Sequence, residues 1–210
     1  MSTARHMRLL AITLGLAAMG SIRRYRARTL LMQKGDSGSA FLIILSGRVK
    51  AFVCDDSDRE FVFRVCTRGD LVGELALDGG VRTASVITME PTVCSEVTLH
   101  TLHAQLQAHP QLAALLLERV IRCARCASDT ARGLALDDVY RRVIALLEQL
   151  AETRQGERGI FAKVSQREIA ARIGSSREMV SRIMRQLQHG GYVRMHPGRL
   201  LFLRRLPTAW

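Results

Sequence analysis

The sequence predicts an α+β chain with an antiparallel β-roll first, one long helix after it, and a winged helix-turn-helix at the carboxyl end. Three observations carry that expectation. Short apolar runs punctuated by glycine and aspartate fill residues 25–99, apolar residues recur at helical spacing after Pro110, and residues 165–188 read as two short helices joined at Gly174. At 210 residues the chain has room for one large or two modest cores. The expected divisions are 1–109 for the roll with an N-terminal helix, 110–136 for the long helix and 137–210 for the winged helix-turn-helix.

The chain opens on an apolar run, residues 9–19, behind Arg5, His6 and Arg8. Ala17 to Gly20 imitates a signal-peptidase site, but the run is too short to span a bilayer, so it is read as a helix packed on the roll. The strands expected next are FLIILSGRVKAFV from Phe41, with Gly47 as a turn or bulge, then REFVFRVC from Arg59, ASVITM from Ala84 and VCSEVTL from Val93. Breaks fall at Gly35-Asp36, Asp55 to Asp58, Gly69-Asp70 and Gly79-Gly80. His100, His103 and His109 read as surface or satisfied residues at the end of the roll.

Between the last strands lies GELALDGGVRTASV, residues 73–86. This loop resembles the phosphate-binding cassette of cyclic-nucleotide-binding domains, in which a short helix follows Gly-Glu and an arginine with a small hydroxyl residue closes the pocket. The resemblance implies a cyclic phosphodiester as ligand. Arg82 offers a forked, charge-assisted contact, Thr83 a hydroxyl and its own N–H, and Glu74 an acceptor for the ribose 2′-hydroxyl. Backbone N–H groups around Gly73, Glu74 and Leu75 meet the phosphate.

After Pro110, Ala113, Leu116, Val120, Cys123, Ala127, Thr130 and Leu134 step by three and four, an a/d seam expected to pair two copies. Residues 134–138 read as a hinge, with Asp137 or Asp138 capping the helix VYRRVIALLEQLAE. A polar loop over 152–159 and a short strand, FAKV, then lead to Ser165.

In the two helices that follow, Ile169, Ala170, Ile173, Val180, Ile183, Met184 and Leu187 form the inward face. Gly174 makes the turn and Ser176 caps the second helix, which leaves Arg177, Glu178, Ser181, Arg182 and Arg185 outward. Arginine pairs with guanine O6 and N7, and glutamate accepts from cytosine N4, so this face suits base readout in a major groove. Gly190-Gly191 ends the helix, and the hairpin beyond carries His196, Pro197, Gly198 and Arg199 at its turn, a basic wing aimed at phosphate. The DNA-contact set is completed by Ser165 and Gln166 at the start of the first helix.

The run Ser176-Arg177-Glu178, with Arg182 four residues after the glutamate, resembles the helix-turn-helix signature of the catabolite activator (Crp/Fnr) family of bacterial regulators. The resemblance extends over residues 25–203 in the family's domain order. It implies a cytoplasmic homodimer on palindromic double-stranded DNA with TGTGA-like half-sites, acting with RNA polymerase and switched by cyclic AMP or another cyclic nucleotide. In the family the long helix also reaches the nucleotide base through a Thr-Ser pair; here the matching positions are Ala127-Ser128, so Ser128 joins the candidate effector residues. Two rivals stand beside this reading: the same fold without effector or responsive to cyclic di-GMP, and a nucleotide sensor that signals through protein contacts.

Composition agrees with a polyanionic partner. With 31 Lys+Arg against 19 Asp+Glu the formal charge is +12, and arginine dominates from Arg141 to Arg205, with a second basic run from Arg23 to Arg28. The five cysteines are odd in number and lack framework spacing, which fits a reducing compartment. Cys123 and Cys126 form a lone C-x-x-C on one helix without a second pair, so no metal is expected. No Ser/His/Asp constellation or catalytic carboxylate pair is legible, and the chain is read as a regulator rather than an enzyme.

Overall fold

The computed structural model describes residues 13–154, 156–162 and 164–207. These residues form two compact units, one of 13–54 with 62–125 and the other of 55–61 with 126–207.

The first unit is a β-roll of two four-stranded sheets. Its strands are β1 (Ser21–Tyr25), β2 (Leu30–Met32), β3 (Ala40–Ser46), β4 (Val49–Cys54), β5 (Glu60–Cys66), β6 (Leu71–Val72), β7 (Ser85–Thr88) and β8 (Thr92–Thr98). One sheet runs β1-β8-β3-β6 and the other β2-β7-β4-β5. The apolar run FLII in β3 is continuous because both its faces are covered. Phe41 and Ile43 join Leu71, Val97 and Leu102 on one side, while Leu42 and Ile44 join Val49, Val72, Val86 and Cys94 on the other. Gly47 turns the chain between β3 and β4 at φ +85°, where a Cβ would meet the Pro91 carbonyl oxygen at 2.6 Å.

Residues 13–17 are helical, and Leu16 and Ala17 are buried in the roll core, with the buried Ser95 hydroxyl donating to the Ala17 carbonyl at 2.6 Å. The rest of the expected N-terminal helix lies outside the described residues. β1, β2 and β6 are additions to the sequence reading: they are short or on an edge, and β1 is polar enough to hide a strand inside the Arg23 to Arg28 basic run. A further helix, α1 (Leu99–Ala108), occupies the segment read as the roll's end, so His100 and His103 sit on it and His109 follows its last turn. Thr98 starts this helix by accepting from the Thr101 N–H at 3.1 Å.

The long helix, α2 (Gln111–Leu136), starts directly after Pro110. Within the first unit its Leu112 is buried and Leu116 packs against the roll core, whereas Leu117, Val120 and Ile121 are exposed.

The second unit contains α3 (Val139–Leu150), β9 (Glu152–Arg154), β10 (Glu157–Ile160), α4 (Gln166–Ile173), α5 (Arg177–His189), β11 (Val193–His196) and β12 (Arg199–Phe202). Asp138, rather than Asp137, caps α3 by accepting from the Arg141 N–H at 2.8 Å. The four strands make one sheet, β11-β12-β10-β9. Two expectations are corrected here. The stretch 152–159 is a β-hairpin, since Arg154 and Glu157 pair across it, and 161, 162 and 164 of FAKV lie outside any strand. Polarity misled because both faces of β9 meet solvent, while the apolar Val164 covers the core from a connecting segment. All seven residues of the expected inward face are buried in one core with Val143, Leu147, Val193 and Leu200.

Candidate effector cassette and nucleic-acid interface

The cassette is built on a reversal of chain direction after β6. Gly73 takes φ +89°, and a Cβ there would meet Arg82 NH1 at 2.5 Å, so any other residue would strain the backbone and displace the guanidinium. Glu74–Ala76 then form a single 3₁₀ turn, with Glu74 buried and Leu75 exposed. Asp78 receives the Gly80 N–H at 2.9 Å, which closes the loop back on itself. The return path is fixed by Arg82, whose N–H donates to the Asp36 carbonyl at 2.8 Å while its own carbonyl accepts from Gly35 at 2.9 Å.

The Arg82 side chain is buried under the turn. NH1 donates to the Gly73 carbonyl at 2.8 Å and NH2 to the Ala40 carbonyl, and a Cβ on Gly38 would crowd its guanidinium carbon at 3.0 Å. These bonds use two of five donors, so the guanidinium keeps capacity for an anion. Burial pulls its pKa below the ordinary arginine value, with Asp36 and Glu74 opposing. Thr83 is exposed beside it. The five cassette residues named from the sequence therefore share one loop. Ser128 is exposed on α2 and belongs to the second unit.

Glu74 has partners that the sequence reading missed. Its Oε1 accepts from Arg64 NH2 at 3.2 Å and from the Cys123 thiol at 3.6 Å. Cys123 therefore faces the roll of its own chain, which corrects its expected place on the seam. On α2 the roll takes Leu116, Arg119 and Cys123, and the exposed stripe shifts by one residue at alternate positions. Ala113, Val120 and Ala127 stay on it, while Leu117 and Ala124 replace Leu116 and Cys123. The legible signal for Arg64 was strand alternation: it shares a face of β5 with the buried Val62 and Cys66.

At the other end of the chain, Ser165 and Ser176 are capping residues. Ser165 Oγ accepts from the Glu168 N–H at 3.1 Å and Ser176 Oγ from the Met179 N–H at 3.2 Å. Gly174 between the helices takes φ +65°, the left-handed conformation that closes a helix. This turn leaves Arg177, Glu178, Arg182 and Arg185 exposed along α5, with Ser181 and Gln166 half-buried. Arg182 NH2 rests on the Met179 sulfur at 2.8 Å, which aims the guanidinium along the helix toward its start. In the wing, His196 and Arg199 face each other across the turn, Gly198 takes φ +76°, and Arg199 NH1 lies 3.4 Å from Glu157 Oε2 on β10. Arg167 on α4 and Arg194 on β11 are exposed as well and were not named from the sequence.

Known proteins share both parts. Residues 22–109 match the cyclic nucleotide-binding domain family, and residues 141–207 match the Crp-like helix-turn-helix domain family. The CRP-like protein Clp of Xanthomonas euvesicatoria pv. vesicatoria is 31% identical over 179 residues, covering 80% of this chain and 78% of its own. The Clp of Xanthomonas campestris pv. campestris matches with the same identity and coverage. The chain belongs to the Crp/Fnr family of transcriptional regulators. Among solved Crp/Fnr structures, the c-di-GMP responsive global regulator CLP of Xanthomonas campestris superposes with a TM-score of 0.80 at 25% identity, over 91% of this chain and 98% of that one. A CRP/FNR-family regulator from Thermus thermophilus superposes at 0.71 with 22% identity over 88% and 94%, a likeness of fold. Crp/Fnr proteins are regulators of transcription and not an enzyme family. Among the described residues, no helix is long and apolar enough to cross a membrane, no group of His, Cys, Asp and Glu is arranged to hold a metal, and all five cysteines are free thiols.

Proposed function

We propose that this chain is a homodimeric, sequence-specific DNA-binding regulator that works in the cytoplasm with RNA polymerase, under control of an anionic cyclic nucleotide at the 73–83 cassette. The carrying observation is α5. Its apolar face is locked into the core, its first turn is capped by Ser176, and Arg177, Glu178 and Arg182 project from the opposite side with nothing of their own unit covering them. Such a helix presents base-reading groups at its start, and the Arg199 wing adds a phosphate contact that positions without reading sequence. Catalysis has no place in this reading. Palindromic operators with TGTGA-like half-sites about one helical turn apart are what the likeness of the Arg-Glu-x3-Arg face to the family's implies.

Arg177→Ala and Arg182→Ala are each expected to cost ~1–3 kcal/mol on the selected operator and to relax base preference, while Arg199→Ala weakens all sequences alike. A site-selection experiment on the purified protein and these three variants decides it. Unchanged sequence preference in Arg177→Ala would remove the major-groove assignment.

For the effector, cyclic AMP is supported by Arg82, Thr83 and Ser128, and cyclic di-GMP by the likeness to the c-di-GMP responsive CLP. Calorimetric titration with each nucleotide, with and without operator, separates them.

A further inference from the structure

Met179 stands in the first turn of α5, where its N–H donates to the Ser176 hydroxyl at 3.2 Å, so the backbone beneath its side chain is fixed by the cap. The side chain is half-buried and packs against the core of the second unit. Arg182 NH2 donates to the Met179 sulfur at 2.8 Å, and among the described residues this is the hydrogen bond that the exposed Arg182 side chain makes. The pair spans i,i+3 on one helix, so no other element is needed to bring it together. A thioether is a weak acceptor, and a guanidinium resting on it is aimed yet readily released to a guanine edge. The other described methionines of this unit differ in setting: Met184 is 2% exposed inside the core, and Met195 is 48% exposed on β11.

We infer that Met179 is an oxidation site whose sulfoxide withdraws Arg182 from base readout, an inference that rests on α5 being the DNA-reading helix. With a peroxide as oxidant, the sulfur lone pair forms an S–O bond to one peroxide oxygen as the O–O bond breaks, and the proton on that oxygen passes to the departing one, which leaves as water. Sulfur loses two electrons and the peroxide gains them. A strongly polar oxygen then stands where the weak acceptor stood, on the side of the residue that already faces Arg182. To reach guanine, the guanidinium now has to give up a charge-assisted hydrogen bond to oxygen in place of a loose contact with sulfur. The change is reversible, since methionine sulfoxide reductases return the thioether at the expense of a dithiol, which leaves as a disulfide with release of water.

The test uses the full-length protein and the operator obtained by site selection. Brief hydrogen peroxide treatment is followed by dithiothreitol, which returns disulfides and sulfenic acids at the exposed Cys54 and Cys126 to thiols and leaves sulfoxides in place. Peptide mass spectrometry is expected to find Met179 and Met195 oxidised and Met184 spared. Fluorescence anisotropy is expected to show operator binding about fivefold or more weaker, with preference lost at the base pair that Arg182→Ala relaxes, and methionine sulfoxide reductase to restore both. Under the same treatment Met179→Leu is expected to stay within about twofold of its untreated affinity, and Met195→Leu to respond as the wild type does. Met179→Gln, which carries an acceptor oxygen, is expected to bind like oxidised protein without oxidant. Full affinity and preference in protein that carries the Met179 sulfoxide overturns the inference, as does an equal loss in Met179→Leu, or a Met179 left intact where Met195 is fully oxidised. If the untreated protein shows no sequence preference, the reading of α5 fails, and NMR of the Arg182 side chain decides the contact alone: guanidinium rotation slowed by oxidation supports it, and unchanged rotation overturns it.

Discussion

Cys66 and Cys94 are fully buried in the roll core, and burial pushes both thiols up to about 11; for Cys66 the neighbouring Arg64 opposes the rise. A thiol that ionises later in the folded chain than in the unfolded one ties stability to pH. Between about 9 and about 11 the unfolded chain has lost these protons and the folded chain keeps them. Stability is therefore full below that window and falls as pH rises through it. Thermal melts of the wild type and of Cys66→Ala/Cys94→Ala between those limits are expected to show a shallower decline in the double variant, with a remainder from Tyr25, whose pKa burial also raises. Equal slopes in the two proteins would mean the thiols ionise freely in the fold. At this scale the sequence was partly readable. Arg82, the cap Ser176 and the exposed Arg177 and Arg182 are each announced by a local motif, but Glu74 was assigned from the motif alone. Its partners come from β5 and α2, 10 and 49 residues away, and no local spacing encodes that meeting.

At the scale of elements, α2 shows how a periodic pattern leaves its register open. Leu116 and Leu117 both step correctly from Ala113 and Val120, and Cys123 and Ala124 repeat the ambiguity one heptad on. The roll decides between them by taking Leu116, Arg119 and Cys123. What remains exposed is a stripe in which Leu117 is 60% accessible and Val120 43%. Apolar area of that kind on a helix calls for a second copy. In a Cys123→Ser/Cys126→Ser background, Ala124→Cys is expected to form a covalent dimer on mild oxidation, whereas wild-type Cys123 does not link two chains. Non-reducing electrophoresis reads this directly, and Val120→Glu is expected to shift sedimentation toward the monomer. A cross-link through Cys123 would return the seam to the register that repeats Leu116. The hairpin β9–β10 was missed for a related reason: both strands are short, β9 is wet on both sides and β10 buries only Gly159 and Ile160 at its end, so no alternation carries an apolar signal.

At the scale of the whole molecule, the domain order was legible because each unit carries its own motif, while the linkage between effector and operator is a property of the assembly. If a cyclic nucleotide activates, it binds the DNA-bound dimer more tightly than the free one, by the same factor by which it tightens DNA binding. In the proposed reading that factor passes through Arg82, whose guanidinium is buried in the cassette and hydrogen-bonded to the Gly73 carbonyl. Truncating it removes the phosphate partner, at a cost of roughly 2–5 kcal/mol in nucleotide affinity. In the proposed reading the basal, nucleotide-free affinity for operator rests on the α5 face and the wing instead, and on a chain charge of +12 that is expected to make it steeply salt-dependent. Arg82→Ala is therefore expected to leave basal operator binding and its salt slope unchanged while abolishing the gain on adding nucleotide. Fluorescence anisotropy on operator DNA at two salt concentrations, with cyclic AMP and cyclic di-GMP in turn, measures all three quantities. A wild type whose operator affinity is indifferent to both nucleotides, and matched by Arg82→Ala, would mark the roll as a structural platform and move the control of this regulator elsewhere.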